Sequence, residues 1–353
     1  MVHAPSRPPA GSPPVRVNLY SDTQTRPTAA MKAAMMAAEV GDEQAGLDPT
    51  IDALCDRMAA LLGTEAAMFL PSGTMCNRIA LLTHCRPGDE VLAHATAHIL
   101  TAEGGGSAAL NGVQITGLAG ADGQFDAATL AAAASVRSRY AMPQTLAVVE
   151  QTSNFGGGTV WPLERLRSVA ETAHAHGMAT HMDGARLMNA AIAAGVPARD
   201  MAAGYDSVWL DFTKGLGAPL GAVLCGSADF IDRAWVWKQR LGGALRQGGI
   251  CAAACLYALD HHVARLAEDH ANARALAEGL AGIPGITVQM PQTNLVFFDT
   301  EATAVTAAEL AARARARGVM IGAMGRFRAR ACTHLDVSRA QVNEAVEAIA
   351  GLV

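Results

Sequence analysis

Residues 179–186 read A-T-H-M-D-G-A-R, and residues 207–217 read S-V-W-L-D-F-T-K-G-L-G. Each opens on a mostly apolar stretch that reads as a buried strand, and each runs from its polar residue straight into glycine. Asp183 and Lys214, 31 residues apart, thereby stand at the ends of two strands. A carboxylate and an amine in that setting suit pyridoxal 5′-phosphate: the lysine forms a Schiff base and the aspartate keeps the pyridine nitrogen protonated.

Outward from this pair, further strands are expected at 66–70, 91–93, 146–149 and 222–225. Most are separated by helical stretches such as 163–176. That alternation predicts an α/β fold with a mostly parallel sheet covered by helices on both faces. Asp48 followed by Pro49 reads as an N-cap and first turn, and Ile51, Leu54, Met58 and Leu61 keep a helical period up to Gly63. After about residue 260 the texture changes to a long Ala-, Glu- and Arg-rich helix over 262–280 and two shorter strand–helix passages. The expected organisation is a disordered arm over 1–16, a large cofactor-binding domain over 17–260 and a small C-terminal α/β domain over 261–353.

The bulk numbers permit this. The chain has 353 residues, 51% hydrophobic and 17% charged, enough for a large core. No apolar run approaches the ~20 residues needed to span a bilayer. A net charge of −5 gives no electrostatic reason to expect nucleic acid or an anionic membrane. The seven cysteines are odd in number, scattered and without a C-x-x-C pair. They read as small buried hydrophobes in a reducing, cytoplasmic compartment, with no metal site. The first 14 residues, MVHAPSRPPAGSPP, lack the apolar core of a signal peptide.

Other residues carry chemistry. Ser72-Gly73-Thr74 is a strand-to-helix turn able to cradle a phosphate through backbone N–H groups and a hydroxyl. His98 opens a short helix after a strand, where its ring can stack on a flat cofactor. Arg186 lies beyond the strand that ends in Asp183 and can grip a carboxylate. Arg326, Arg328 and Arg330 alternate, which predicts three cations on one face of a strand.

Seven motifs occur in order: S-D-T-Q-T-R-P (21–27), G-D-E-Q-A-G-L-D-P-T (41–50), S-G-T-M-C-N (72–77), H-M-D-G-A-R (181–186), T-K-G-L-G (213–217), R-Q-G-G-I (246–250) and T-H-L-D-V-S (333–338). Together they resemble the L-threonine aldolases of the β-eliminating lyase type, fold-type I pyridoxal phosphate enzymes. The resemblance runs from about Val17 to the C-terminus. It implies a Schiff-base lysine at Lys214, a pyridine-nitrogen partner at Asp183, and phosphate contacts from Gly73 and Thr74, with Arg246 reaching the phosphate from a neighbouring subunit and Thr213 also binding the cofactor. It further implies that His98 stacks on the ring and that Ser21, Arg186 and Arg330 hold the substrate carboxylate, Arg186 also lying beside the cofactor. The implied assembly is a homotetramer with dimer-built active sites, and the implied reaction is cleavage of an L-β-hydroxy-α-amino acid to glycine and an aldehyde.

Two positions depart from the family pattern. Ala45 stands where the family carries tyrosine, and Ser153, in E-Q-T-S-N, stands where it carries a histidine near the substrate β-hydroxyl. Serine is a poor base at neutral pH without an activating partner. Ser153 therefore counts as a substrate-side residue, and His98 or a water has to take the β-hydroxyl proton. β-Elimination, racemisation or transamination on the same scaffold is the nearest rival reading, and a catalytically silent binding protein is a more distant one. Arg328, outside the shared motifs, is a candidate to read a second acidic group on the substrate.

Overall fold

The computed structural model describes residues 13–135 and 138–353; residues 1–12 of the expected arm lie outside them. Val17–Asn18 (β1) precedes the strands of the main sheet: Ala66–Leu70 (β2), Glu90–His94 (β3), Gln114–Leu118 (β4), Gln144–Glu150 (β5), Ala179–Gly184 (β6), Ser207–Asp211 (β7) and Ala222–Gly226 (β8). They are followed by Thr287–Gln289 (β9), Leu295–Asp299 (β10), Val319–Met320 (β11), Gly322–Ala323 (β12) and Arg328–Cys332 (β13). The described residues divide into two compact units: residues 27–263, and residues 264–353 together with residues 13–26.

The large unit is built on a seven-stranded sheet ordered β2-β8-β7-β6-β5-β3-β4. From β7 through β4 every pair is parallel. β8 runs antiparallel to both β7 and β2. The reason is local: the connection from Asp211 to Ala222 carries no helix, and a parallel return requires a crossover. β4 is a strand the sequence did not announce, because Q-I-T-G-L has a glycine inside it and is half-exposed along most of its length. Helix Pro49–Leu62 starts on Asp48, whose side chain accepts from Ile51 N, and ends on Gly63 at φ 71°, a conformation glycine adopts without strain. Its buried stripe is Ile51, Leu54, Met58 and Leu62; Leu62 rather than Leu61 completes the face. Around Trp209, the residues Met68, Leu70, Ile79, Leu224, Phe230 and Ile231 form a core cluster. Each such side chain contributes roughly 1.5–3 kcal/mol of transfer free energy.

In the small unit β1 pairs in parallel with β11, Val17 against Val319. This pairing explains why residues 17–26, expected from sequence in the large domain, group with the C-terminal part. An antiparallel sheet β12-β13-β10-β9 packs with helices Leu266–Ala281, Ala307–Ala316 and Arg339–Ala350 around Leu19, Leu276, Val296, Phe298, Leu310 and Val342. The helix expected over 262–280 forms as Leu266–Ala281, set apart from a preceding helix, Gly249–His261. The break falls where His262 Nδ1 bonds the carbonyl of Leu216 at 2.7 Å, within the large unit. All seven cysteines are free. No described helix is long and apolar enough to cross a membrane.

Candidate active site

In an open parallel sheet the loops beyond the carboxyl ends of the strands gather in one place. β3 leads to His98, β5 ends in Glu150 and leads to Ser153, β6 carries Asp183, and β7 ends in Asp211 just before Lys214. Asp183 is 2% exposed. Its Oδ2 accepts from Asn77 Nδ2 at 2.8 Å and its Oδ1 from Ala185 N at 3.1 Å. Burial raises its pKa, against the pull of the His98 ring, Asn77 and the Lys214 charge. Lys214 is ion-paired with Asp211, which also accepts from the backbone and hydroxyl of Thr213 at 2.8 and 2.7 Å. The Lys214 ammonium lies 5.8 Å from the Trp209 ring centroid.

Trp209 also receives the start of helix Gly73–His84. A Cβ on Gly73 would overlap the indole, so only glycine lets this helix N-terminus approach so closely. Ser72 is the N-cap, its hydroxyl accepting from Met75 N at 3.3 Å, and Thr74 is exposed in the first turn. One turn further, Asn77 donates to Asp183 and also to Glu103 Oε1 at 2.7 Å.

His98 starts a four-residue helix, and its backbone N–H donates to Glu150 Oε2 at 2.7 Å. Its Nδ1 lies 2.9 Å from Glu103 Oε1. Burial works against protonating the ring, but the bond to Glu103 and the charges of Asp183 and Glu150 outweigh it, so its pKa is raised. For Glu103 burial is likewise overcome, here by His98, Arg78 at 2.6 Å and Asn77, and its pKa is lowered. Nitrogen and oxygen atoms of His98, Glu103 and Asp183 all lie within 4.8 Å of one another. Glu150 accepts from Asn154 N at 2.8 Å as well, and is pushed up to about 7 by burial and then by the charge of Asp183.

The structure thus brings Gly73, His98, Asp183, Thr213 and Lys214 around Asn77, Glu103 and Trp209. Arg186, 5% exposed, follows Asp183 at the start of helix Leu187–Ala194, its backbone N–H donating to Gln151 O at 3.1 Å. Ser153 is 2% exposed and its hydroxyl packs against Gly123, where an added Cβ would overlap it. Arg246 pairs with Asp42 at 2.8 Å within the chain. Ser21 and Arg330 lie in the small unit. There Ser21 Oγ caps a short 3-10 turn, accepting from Thr23 N at 3.2 Å, and Arg330 Nη2 donates to Tyr20 O at 3.4 Å.

Two expectations need correcting. Arg326 lies in the bend before β13 rather than on it, exposed and 5.1 Å from the Phe327 ring. Arg328 donates to Asp299 at 3.1 Å and to Gln289 at 2.7 Å over the Phe297 ring, so its charge is matched on the sheet surface. Sequence reading missed Asn77, Glu103, Glu150, Trp209 and Asp211 as site residues. Asn77 was detectable: four residues after Gly73, it shares the face of the helix that Gly73 presents.

The donor set fits pyridoxal phosphate. A buried carboxylate whose ionisation is resisted by burial suits a pyridinium N–H, an amine stands on the neighbouring strand end, and an open helix N-terminus suits a phosphate.

The β-eliminating lyase family model matches residues 18–303. A low specificity L-threonine aldolase of Escherichia coli strain K12 is 42% identical over 329 residues, 93% of this chain and 96% of that protein. Low-specificity L-threonine aldolase 1 of Arabidopsis thaliana is 39% identical over 334 residues, 93% of both chains. Among solved structures, threonine aldolase of Leishmania major matches with a TM-score of 0.81 at 21% identity, covering 94% of this chain and 98% of that one.

Proposed function

The chain belongs to the β-eliminating lyase family, and from that premise we propose that it is a pyridoxal 5′-phosphate-dependent aldehyde-lyase cleaving an L-β-hydroxy-α-amino acid, threonine or allo-threonine in type, to glycine and an aldehyde. The observation that carries the reading is the placement of Asp183 at the end of β6 and of Lys214 just beyond the adjacent parallel β7, joined through Asn77 and Trp209 to the N-terminus of helix Gly73–His84.

Gly73, Thr74, His98, Asp183, Arg186, Thr213 and Lys214 would hold the cofactor, with Arg246 supplied by a second copy in a dimer-built homotetramer. When bound, the cofactor supplies an electron sink for the charge that develops at the substrate Cα. Lys214, its ammonium paired with Asp211, would be the covalent anchor. Asp183 keeps the pyridine nitrogen protonated, and that cation in turn offsets the burial of Asp183. Arg186 offers a guanidinium to the substrate carboxylate, which fixes the bond that breaks by orienting the substrate. Ser21 and Arg330 are assigned to the same carboxylate on the resemblance of their motifs alone.

The base is His98. Above its raised pKa the His98 ring is neutral; Glu103, held ionised by Arg78 and Asn77, then accepts from Nδ1–H, which leaves the lone pair on Nε2 to take the β-hydroxyl proton. Ser153 has no such activating partner among the described residues, and its hydroxyl packs against Gly123. The test is incubation of the purified protein with L-threonine and pyridoxal phosphate. Glycine and acetaldehyde in equal amounts support the reading; 2-oxobutyrate would replace it with β-elimination.

A further inference from the structure

The amide of Asn77 has no freedom to turn over. Trp209 Nε1–H only donates, and it meets Asn77 Oδ1 at 2.8 Å. The amide nitrogen must therefore face the carboxylates of Asp183 and Glu103. Because Oδ1 only accepts, His181 Nε2, 3.1 Å away, must carry its proton. His181 Nδ1, 2.8 Å from Ser207 Oγ, then accepts the one hydroxyl proton of that serine. Ser207 Oγ in turn accepts from His84 Nε2 at 2.8 Å. Every donor in the series His84, Ser207, His181, Asn77 points the same way, towards Asp183 and Glu103.

We propose that Asn77, locked in one orientation by His181 and Trp209, is the positioning residue that keeps Asp183 ionised for the pyridine nitrogen, and that His181 governs cofactor binding through Asn77 without touching the cofactor. The proposal rests on the cofactor role assigned to Asp183.

The surroundings make the lock necessary. Asp183 shares its site with the negative charge of Glu103, and burial disfavours its own. Opposing these are the His98 ring, the Lys214 ammonium and the Asn77 N–H bond. A flipped Asn77 would turn a carbonyl towards two carboxylates, exchanging two attractions for two repulsions. The proton pattern that forbids the flip also stays constant with pH. Burial holds His181 down to about 3 and His84 to about 4, so both remain neutral under physiological conditions. Asn77, His181 and Ser207 are all buried, which shields the chain from exchange with water.

The test combines cofactor titration with a direct reading of the imidazole protons. Pyridoxal phosphate Kd is measured spectroscopically between pH 5.5 and 8.5 for the full chain and for Asn77→Ala, His181→Leu and His181→Gln. Asn77→Ala should raise Kd about tenfold or more, the typical effect of losing a hydrogen bond to a charged group, and His181→Leu, which leaves Trp209 as the remaining lock on Asn77, should raise it several-fold. Their loss of binding at low pH should also begin at a higher pH than in the parent chain. His181→Gln, whose amide can still donate to Asn77 Oδ1, should recover Kd to within about threefold. Equal affinity and an unchanged pH profile in His181→Leu would overturn the proposal. Should a variant fail to fold, nitrogen-15 NMR of the parent chain decides instead: the lock requires neutral His181 with its proton on Nε2 from pH 5.5 to 8.5. The Nδ1–H tautomer, or titration of His181 within that range, would overturn it. A parent chain that binds no pyridoxal phosphate overturns the functional reading first, an outcome separate from a parent that binds and variants that bind equally well.

Discussion

Glu150 and Asp183 are register partners on β5 and β6, two buried carboxylates side by side at the carboxyl ends of parallel strands. Burial, and then the charge of Asp183, lifts Glu150 from 4.5 to about 7. A carboxyl that binds its proton more tightly when folded contributes stability that is complete below its unfolded pKa and is lost as pH rises through its folded one. The window for Glu150 therefore runs from about 4.5 to just above 7. Histidines buried neutral, His84 and His181 among them, act in the opposite direction below 6.5. A difference isolates the carboxyl: the stability of the cofactor-free parent minus that of Glu150→Gln should fall by on the order of 1–3 kcal/mol between pH 5 and pH 8. Urea unfolding at the two pH values measures it. A difference that stays flat or rises would show that Glu150 is ionised throughout.

Lys214 and His98 should fail differently. Lys214→Ala removes the covalent anchor, and cleavage of threonine should drop below detection; near-parental turnover would sink the assignment. His98→Phe keeps an aromatic ring for stacking but has no Nε2. Its kcat should fall by about 10²–10⁴-fold, the usual worth of a positioned general base, while cofactor binding persists. Steady-state kinetics alongside an absorbance titration separates the two functions. A His98→Phe variant with undiminished kcat would return the base to Ser153 or a water.

How much of this was legible in the sequence follows from how local each feature is. Strand ends and caps are local: Asp48, Pro49 and Gly63 bounded a helix correctly because capping depends on residues within one turn. Asp183 and Lys214 were found because an apolar stretch precedes each and glycine follows each directly. Asn77, Glu103 and Trp209 were missed as a group because their meaning lies in side chains brought together across 132 and 26 positions. Arg328 shows the converse. Period-two spacing placed it on the face of Arg330, but only the antiparallel pairing of β13 with β10 reveals that Asp299 stands opposite to neutralise it.

Gly73→Ala should be costly for a steric reason. The new Cβ would overlap the Trp209 indole, a rigid ring itself held by Asn77. Overpacking of this kind costs typically 1–3 kcal/mol. The melting temperature should fall and pyridoxal phosphate should bind more weakly, since the helix N-terminus must move away from Trp209. Unchanged melting and unchanged affinity would show that the turn has slack the geometry does not suggest.

Ser153→Ala should be nearly silent in kcat, within about threefold of the parent, because an unactivated hydroxyl offers little as a base. Oγ packs against a glycine backbone that carries no side chain, so its removal should change stability little. Ser153→His, by contrast, has Gly123 and its neighbour Gly156 directly in the way, and should destabilise the loop rather than gain activity. A large kcat loss in Ser153→Ala with normal stability would reinstate Ser153 at the substrate.

Glu43 straps the segment that carries Arg246. Its carboxylate pairs with the fully buried Lys238 ammonium and accepts from Leu245 N at 2.7 Å, while its own N–H donates to Arg246 O at 3.0 Å. Glu43→Ala leaves Lys238 buried without its partner and should destabilise by about 3–5 kcal/mol. Replacing both, Glu43→Leu with Lys238→Met, removes the buried charges together and should restore most of that loss, yet leaves Leu245 N without its acceptor. If Arg246 reaches the cofactor phosphate of a second copy, the double variant should unfold near the parental urea midpoint but bind pyridoxal phosphate several-fold more weakly. Parental affinity in a stable double variant would mean that Glu43 holds the fold and leaves Arg246 to position itself.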